Sequence, residues 1–250
     1  MFFLGGCLVV TPVNFAADAI VAAPPEPKLV TGTLYESGSD RKKILFTFQR
    51  TATNSGPTTR VKRKFIRPDG FVAVVENVVY ESGQLVSYDM KEFQANVWGD
   101  IEISADPKKP ARKKISINYR LAADAKKHAG QNLPPDTLID DNIYPYILSH
   151  WDALMHGDSV KFRFVSLEHE TTFGFRFVKE SEITLHGLAM VRIKMEPTSL
   201  LVSRLIDPIY FTIEKEGAHR IAGYTGRTTP RIKKGKSWKY LDAETVFDWK

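Results

Sequence analysis

The runs Lys43-Ile44-Leu45-Phe46-Thr47-Phe48-Gln49, Lys114-Ile115-Ser116-Ile117-Asn118-Tyr119-Arg120 and Val191-Arg192-Ile193-Lys194-Met195 carry the reading of the fold. Each alternates apolar and polar residues with a period of two, which gives a strand one wet face and one buried face. Ile44, Phe46 and Phe48 share a side of the first run, and Ile115, Ile117 and Tyr119 share a side of the second. Between such runs, Arg67-Pro68-Asp69-Gly70, Glu81-Ser82-Gly83-Gln84, Trp98-Gly99-Asp100 and Glu214-Lys215-Glu216-Gly217 read as tight turns, each with a glycine free to take positive φ. Strands joined by short turns pair with their neighbours, so the expected path is an antiparallel meander of about ten to twelve strands.

One segment breaks this rhythm. Pro134-Pro135-Asp136-Thr137 can cap a helix, and Ile139, Ile143, Tyr146, Ile147, His150 and Leu154 recur at roughly the 3.6-residue helical period until Gly157. Pro145 removes a hydrogen bond, so a kink or two short helices are expected, the second opening at Tyr144-Pro145. Residues 121–136 form the candidate linker, dividing either two sheets or two halves of one curved sheet. The aromatic second half needs a large cover, which favours one sheet wrapping the helix. The expected fold is mainly β: a long antiparallel meander forming a curved sheet or half-barrel around one kinked central helix. It occupies residues 24–250 as a single domain, with the helical insert at about 136–156.

The chain has 250 residues, 43% hydrophobic and 26% charged, a globular balance that excludes disordered, collagen-like and multi-span membrane classes. The lone Cys7 excludes an internal disulfide and a Cys-Cys zinc ribbon. Residues 1–27 hold no Lys or Arg, and Phe2-Phe3-Leu4-Gly5-Gly6-Cys7-Leu8-Val9-Val10 is almost wholly apolar. Residues 1–23 therefore read as a signal peptide or apolar leader, too short for a membrane span and cleaved near Ala19 or Ala23. Leu4-Gly5-Gly6-Cys7 keeps lipidation of Cys7 as the alternative. Either reading places the protein in the bacterial periplasm or at the outer membrane.

Catalytic signatures are weak. Ser149-His150-Trp151-Asp152 holds the residue types of a hydrolase triad, but neighbours on a helix point about 100° apart and cannot converge. His150 lies on the apolar stripe and reads as a core histidine bonded to a carbonyl or carboxylate. His169-Glu170-Thr171-Thr172-Phe173 begins like a zinc-protease motif but has Phe where the second His must stand. The expectation is a protein with no catalytic residue, no metal and no cofactor.

Cations and aromatic residues are better organised. The formal net charge is +6; residues 41–67 hold no acid, and neither does Arg227-Thr228-Thr229-Pro230-Arg231-Ile232-Lys233-Lys234-Gly235-Lys236-Ser237-Trp238-Lys239. The second run reads as a loop suited to phosphates, or more plainly as a solvated hairpin tip. Export turns the first reading away from nucleic acid and toward an anionic lipid or glycan headgroup, bound by Arg227, Arg231, Lys233, Lys234 and Lys236. Phe162 and Phe164 share one strand face, and Phe173, Phe175 and Phe177 another. They are either sheet core or, with Trp151 and Leu154 of the helix, the lining of an apolar cavity in the curved sheet.

The apolar leader, the meander with Asp-Gly and Ser-Gly hairpins, the Tyr144-Pro145-Tyr146-Ile147-Leu148-Ser149-His150-Trp151-Asp152 stretch and Gly223-Tyr224-Thr225-Gly226-Arg227 form a pattern. Over about residues 28–249 it loosely resembles, in architecture, exported bacterial proteins of no assigned role related to the half-barrel lipoprotein carriers and sensors of the cell envelope. The resemblance implies a half-barrel and a role with lipids or lipoproteins, and assigns no functional residue. The expected function is an exported envelope protein holding a hydrophobic or amphiphilic, lipid-like ligand in the concave face. The alternatives are a structural or assembly protein with a filled core, and an enzyme acting on an envelope polymer.

Overall fold

A computed structural model describes residues 29–122, 126–199, 202–204 and 206–249. The leader and Cys7 lie outside the described residues.

The first described strand lies in the middle of the sheet. From β1 (Leu29–Glu36) the chain meanders outward through β2 (Ile44–Ser55), β3 (Thr58–Ile66), β4 (Val72–Glu81), β5 (Gln84–Glu92), β6 (Val97–Asp106), β7 (Lys109–Leu121) and β8 (Lys127–Asn132). It then crosses to the opposite edge at β9 (Thr137–Leu138) and forms helices α1 (Ile143–Ser149) and α2 (Trp151–His156). The return runs through β10 (Val160–Ser166), β11 (Thr171–Leu185), β12 (Leu188–Pro197), β13 (Ile209–Glu214), β14 (Ile221–Lys234) and β15 (Ser237–Trp249). β15 pairs with β1, so one curved, unclosed sheet of 15 strands results, its edges at β8 and β9. Every pairing is antiparallel except β9 with β10.

Period two does place the core. Phe46 and Phe48, then Ile115, Ile117 and Tyr119, then Val191, Ile193 and Met195 are buried, while Ile44 at the start of β2 is exposed. Three expectations need correction. The linker 121–136 contains strand β8, and shorter strands of this kind bring the number to 15. Trp98-Gly99-Asp100 is the interior of β6, where Gly99 makes room for a neighbour: a Cβ there would stand 2.7 Å from Cδ1 of Leu167. The helix breaks at His150, whose φ of −117° and ψ of 20° separate α1 from α2. Pro145 falls in the first turn of α1, where no intrahelical donor is missed, so it does not break the helix.

The curl brings the two halves face to face. Leu167, between β10 and β11, packs on Gly99 of β6. Gly226, at φ +140°, and a register shift between Thr228 and Arg231 bend β14 inward. The bend carries Thr229 to Glu76 of β4 (3.0 Å) and Arg231 to Glu92 of β5 (2.6 Å). Arg227–Lys239 is thus a β-hairpin with its base folded into the interior, rather than a loop.

Candidate functional site

A sheet this wide curls around more volume than its inward side chains can fill. A cavity of about 600 Å³ remains between the halves, walled by aromatic and aliphatic residues such as Phe48, Phe65 and Met90 on one side and Phe164, Phe173 and Phe211 on the other. The turn leading into α1 and the first residues of that helix contribute Ile139, Asp140, Asp141, Ile143 and Tyr144 to the wall.

The helix divides the aromatic residues into two groups. Phe164, Phe173 and Phe175 line the cavity. Phe162, Phe177 and Leu154 do not; they are buried with Tyr146, Ile147 and Ile193 in the core beneath the helix, where the Phe162 and Phe177 rings stack at 4.4 Å. Trp151 is half-buried against the ring of His219, away from the cavity. His150 is half-buried rather than a core residue, but its Nδ1 lies 3.0 Å from the Tyr146 carbonyl oxygen, which accepts the expected bond. The helix therefore fills one part of the concavity solidly and leaves another part open.

The cations divide as well. Arg227 and Arg231 line the cavity, whereas Lys233, Lys234 and Lys236 stand exposed at the tip of the β14–β15 hairpin. Neither arginine is free for an anion. Arg231 is held by Glu92 and by the Tyr119 hydroxyl at 3.0 Å, and Arg227 by Asp242 at 2.8 Å.

Sequence reasoning missed a second polar group, on β2, β3, β4 and the turn before α1. Arg50 donates to both carboxylate oxygens of Asp141 (2.8 and 3.3 Å), and the Tyr80 hydroxyl donates to Oδ2 (2.9 Å). Arg63 Nε lies 3.1 Å from Glu76, which also accepts from the hydroxyls of Tyr88 and Thr229, each at 3.0 Å. A signal was present: in Phe48-x-Arg50, Val61-x-Arg63-x-Phe65 and Val74-x-Glu76-x-Val78 the charged residue occupies the buried phase of its strand.

These groups differ in their protonation. Burial pushes the Asp141 carboxyl up, but Arg50, Arg63 and the Tyr80 hydroxyl outweigh it and hold the group below the ordinary aspartate range. Burial wins at Glu76 and Asp140: Arg63 lowers both, yet Asp140 raises Glu76, Asp141 raises Asp140, and both carboxyls end above their usual values. Burial likewise raises the hydroxyls of Tyr80 and Tyr88, so both stay neutral donors. Asp140 itself is exposed to the cavity although protein surrounds it, and no hydrogen bond or ion pair to its carboxylate exists among the described residues.

Among the described residues no group of three or more His, Cys, Asp or Glu is arranged to hold a metal ion, and no helix is long and apolar enough to cross a membrane. No protein-family model, curated protein or solved structure matches the chain.

Proposed function

We propose that the protein is an exported cell-envelope binding protein that holds a hydrophobic or amphiphilic ligand in the cavity of its curled sheet. The observation that carries this reading is the cavity itself: about 600 Å³ of space, apolar over most of its wall, between two clusters of buried hydrophobic residues. That volume lies in the roughly 300–1,000 Å³ range of small-molecule sites. Each methylene moved into it from water contributes about 0.8 kcal/mol. A structural protein with a filled core would leave no such space. Saturable binding of N-phenyl-1-naphthylamine, with the blue shift of an apolar site, tests the reading; its loss in Val165→Trp, which fills the cavity from β10, locates the site.

The hairpin cations support a second contact of the same protein. Lys233, Lys234 and Lys236 project from the end of the sheet that also carries Phe71 and Phe93, 44% and 52% exposed. Gln94 Nε2 bonds to the Arg231 carbonyl at 2.6 Å and ties the hairpin to that rim. Cations beside exposed aromatic rings suit an anionic lipid headgroup layer, from which a ligand could enter.

A further inference from the structure

The polar lining of the cavity specifies more than apolarity. Each guanidinium that lines it already faces a carboxylate: Arg50 faces Asp141, Arg63 Glu76, Arg227 Asp242 and Arg231 Glu92, with the buried Arg63 Nη1 making no hydrogen bond among the described residues. Two carboxylates are left over. Glu168 lies 3.9 Å from Arg231, which Glu92 holds at closer range, and Asp140, on which Arg63 acts without an ion-pair contact, makes no hydrogen bond or ion pair among the described residues while facing the open space. An anionic head brought inside would find one buried, unbonded guanidinium donor, Arg63 Nη1, on a group already facing Glu76, and would stand beside two further carboxylates. A protonated amine would find in Asp140 the acceptor that its own desolvation requires, because a buried charge is tolerated when paired and hydrogen-bonded.

We infer that the ligand of this cavity is an amphiphile with a cationic amine head, received by the Asp140 carboxylate, and that the site discriminates against anionic heads. The inference rests on the cavity being a ligand site and reverses the headgroup charge expected from Arg227 and Arg231.

Dodecylamine, dodecanol and dodecanoate share one chain and differ in head charge. Their displacement of N-phenyl-1-naphthylamine from the intact protein at pH 7, each below its micellar concentration, ranks the heads. The expected order is amine, alcohol, carboxylate, with the amine about 10-fold tighter than the alcohol, a difference of about 1.4 kcal/mol. Asp140→Asn should narrow the amine-to-alcohol ratio to about 3-fold or less. Dodecanoate binding tightest, equal affinities, or an unchanged ratio in a folded D140N protein would overturn the head assignment and leave the cavity reading intact. Failure of all three to displace the dye, or no dye binding at all, would overturn the cavity reading. Should D140N not fold, the order measured on the unaltered protein decides.

Discussion

Replacing Asp141 with alanine removes the group that latches the helical segment to the sheet. Asp141 is 6% exposed; its two oxygens take Arg50 Nε at 2.8 Å, Arg50 Nη2 at 3.3 Å and the Tyr80 hydroxyl at 2.9 Å. Without it a guanidinium with only 11% of its side chain exposed has no counter-ion, and Tyr80, wholly buried, has no acceptor. Breaking a buried pair from one side costs about 3–5 kcal/mol, mostly the penalty of the charge left behind. Exchanging both partners for apolar groups is often near neutral. Urea unfolding followed by far-ultraviolet circular dichroism should therefore show D141A about 3–5 kcal/mol less stable, R50M similarly affected, and the double variant R50M/D141L within about 2 kcal/mol of the unaltered protein. A loss under about 1 kcal/mol for D141A, or costs that simply add in the double variant, would refute the latch and with it the rigid placement of the turn before α1 that carries Asp140.

Stability should vary with pH in two directions. Raised folded-state values at Glu76 and Asp140 give a contribution that is whole below the unfolded values, 4.5 and 3.8, and is lost as pH rises through the folded ones. Asp141, held low, contributes above its unfolded 3.8 and loses this as pH falls through its folded value. The urea midpoint should accordingly be higher at pH 5 than at pH 7 and drop again below pH 4, with slopes of up to ~1.4 kcal/mol per pH unit for each proton; a midpoint climbing steadily from pH 5 to 7 contradicts this. Phe177→Ala, in the filled core, should cost about 3–5 kcal/mol, while Phe173→Ala, on the cavity wall, should cost less than half as much by the same assay. Gly99→Val puts branched carbon where Leu167 already touches, and should lower the midpoint by the equivalent of about 1–3 kcal/mol. Charge reversal at Lys233, Lys234 and Lys236 should abolish salt-sensitive sedimentation with phosphatidylglycerol vesicles and leave binding of the naphthylamine dye unaltered.

How far the sequence could be read depended on whether a feature was local. Strand faces were legible because period two is a property of a few neighbouring residues, and β2, β7 and β12 bury the side chains that alternation selects, apart from Ile44 at the start of β2. The helix was legible for the same reason, although Pro145 was given a break that belongs to His150: in a first turn, proline forfeits nothing. Gly99 looked like a turn because a glycine that accepts a side chain from 68 positions away, Leu167, has no local mark to tell it from one that reverses the chain. The five phenylalanines could not be sorted into core and wall either. Phe162 and Phe164 share a strand face two residues apart, and only the position of the helix above them decides that the first is covered and the second opens on the cavity. The polar lining was in principle visible as charges on buried strand phases, but its pairings join β2 and β4 to the turn before α1, and β5 to β14, across 61 to 139 residues.

Occupancy of the cavity is reported most directly by the intact mass of the protein. Protein taken from its native cells in mild, detergent-free buffer and sprayed under non-denaturing conditions should carry an additional mass of a few hundred daltons, released on collisional activation and extractable into organic solvent, and V165W protein should lack it. A bare polypeptide mass for both, with no saturable uptake of the naphthylamine dye, would contradict the claim that the curled sheet is built to hold a ligand.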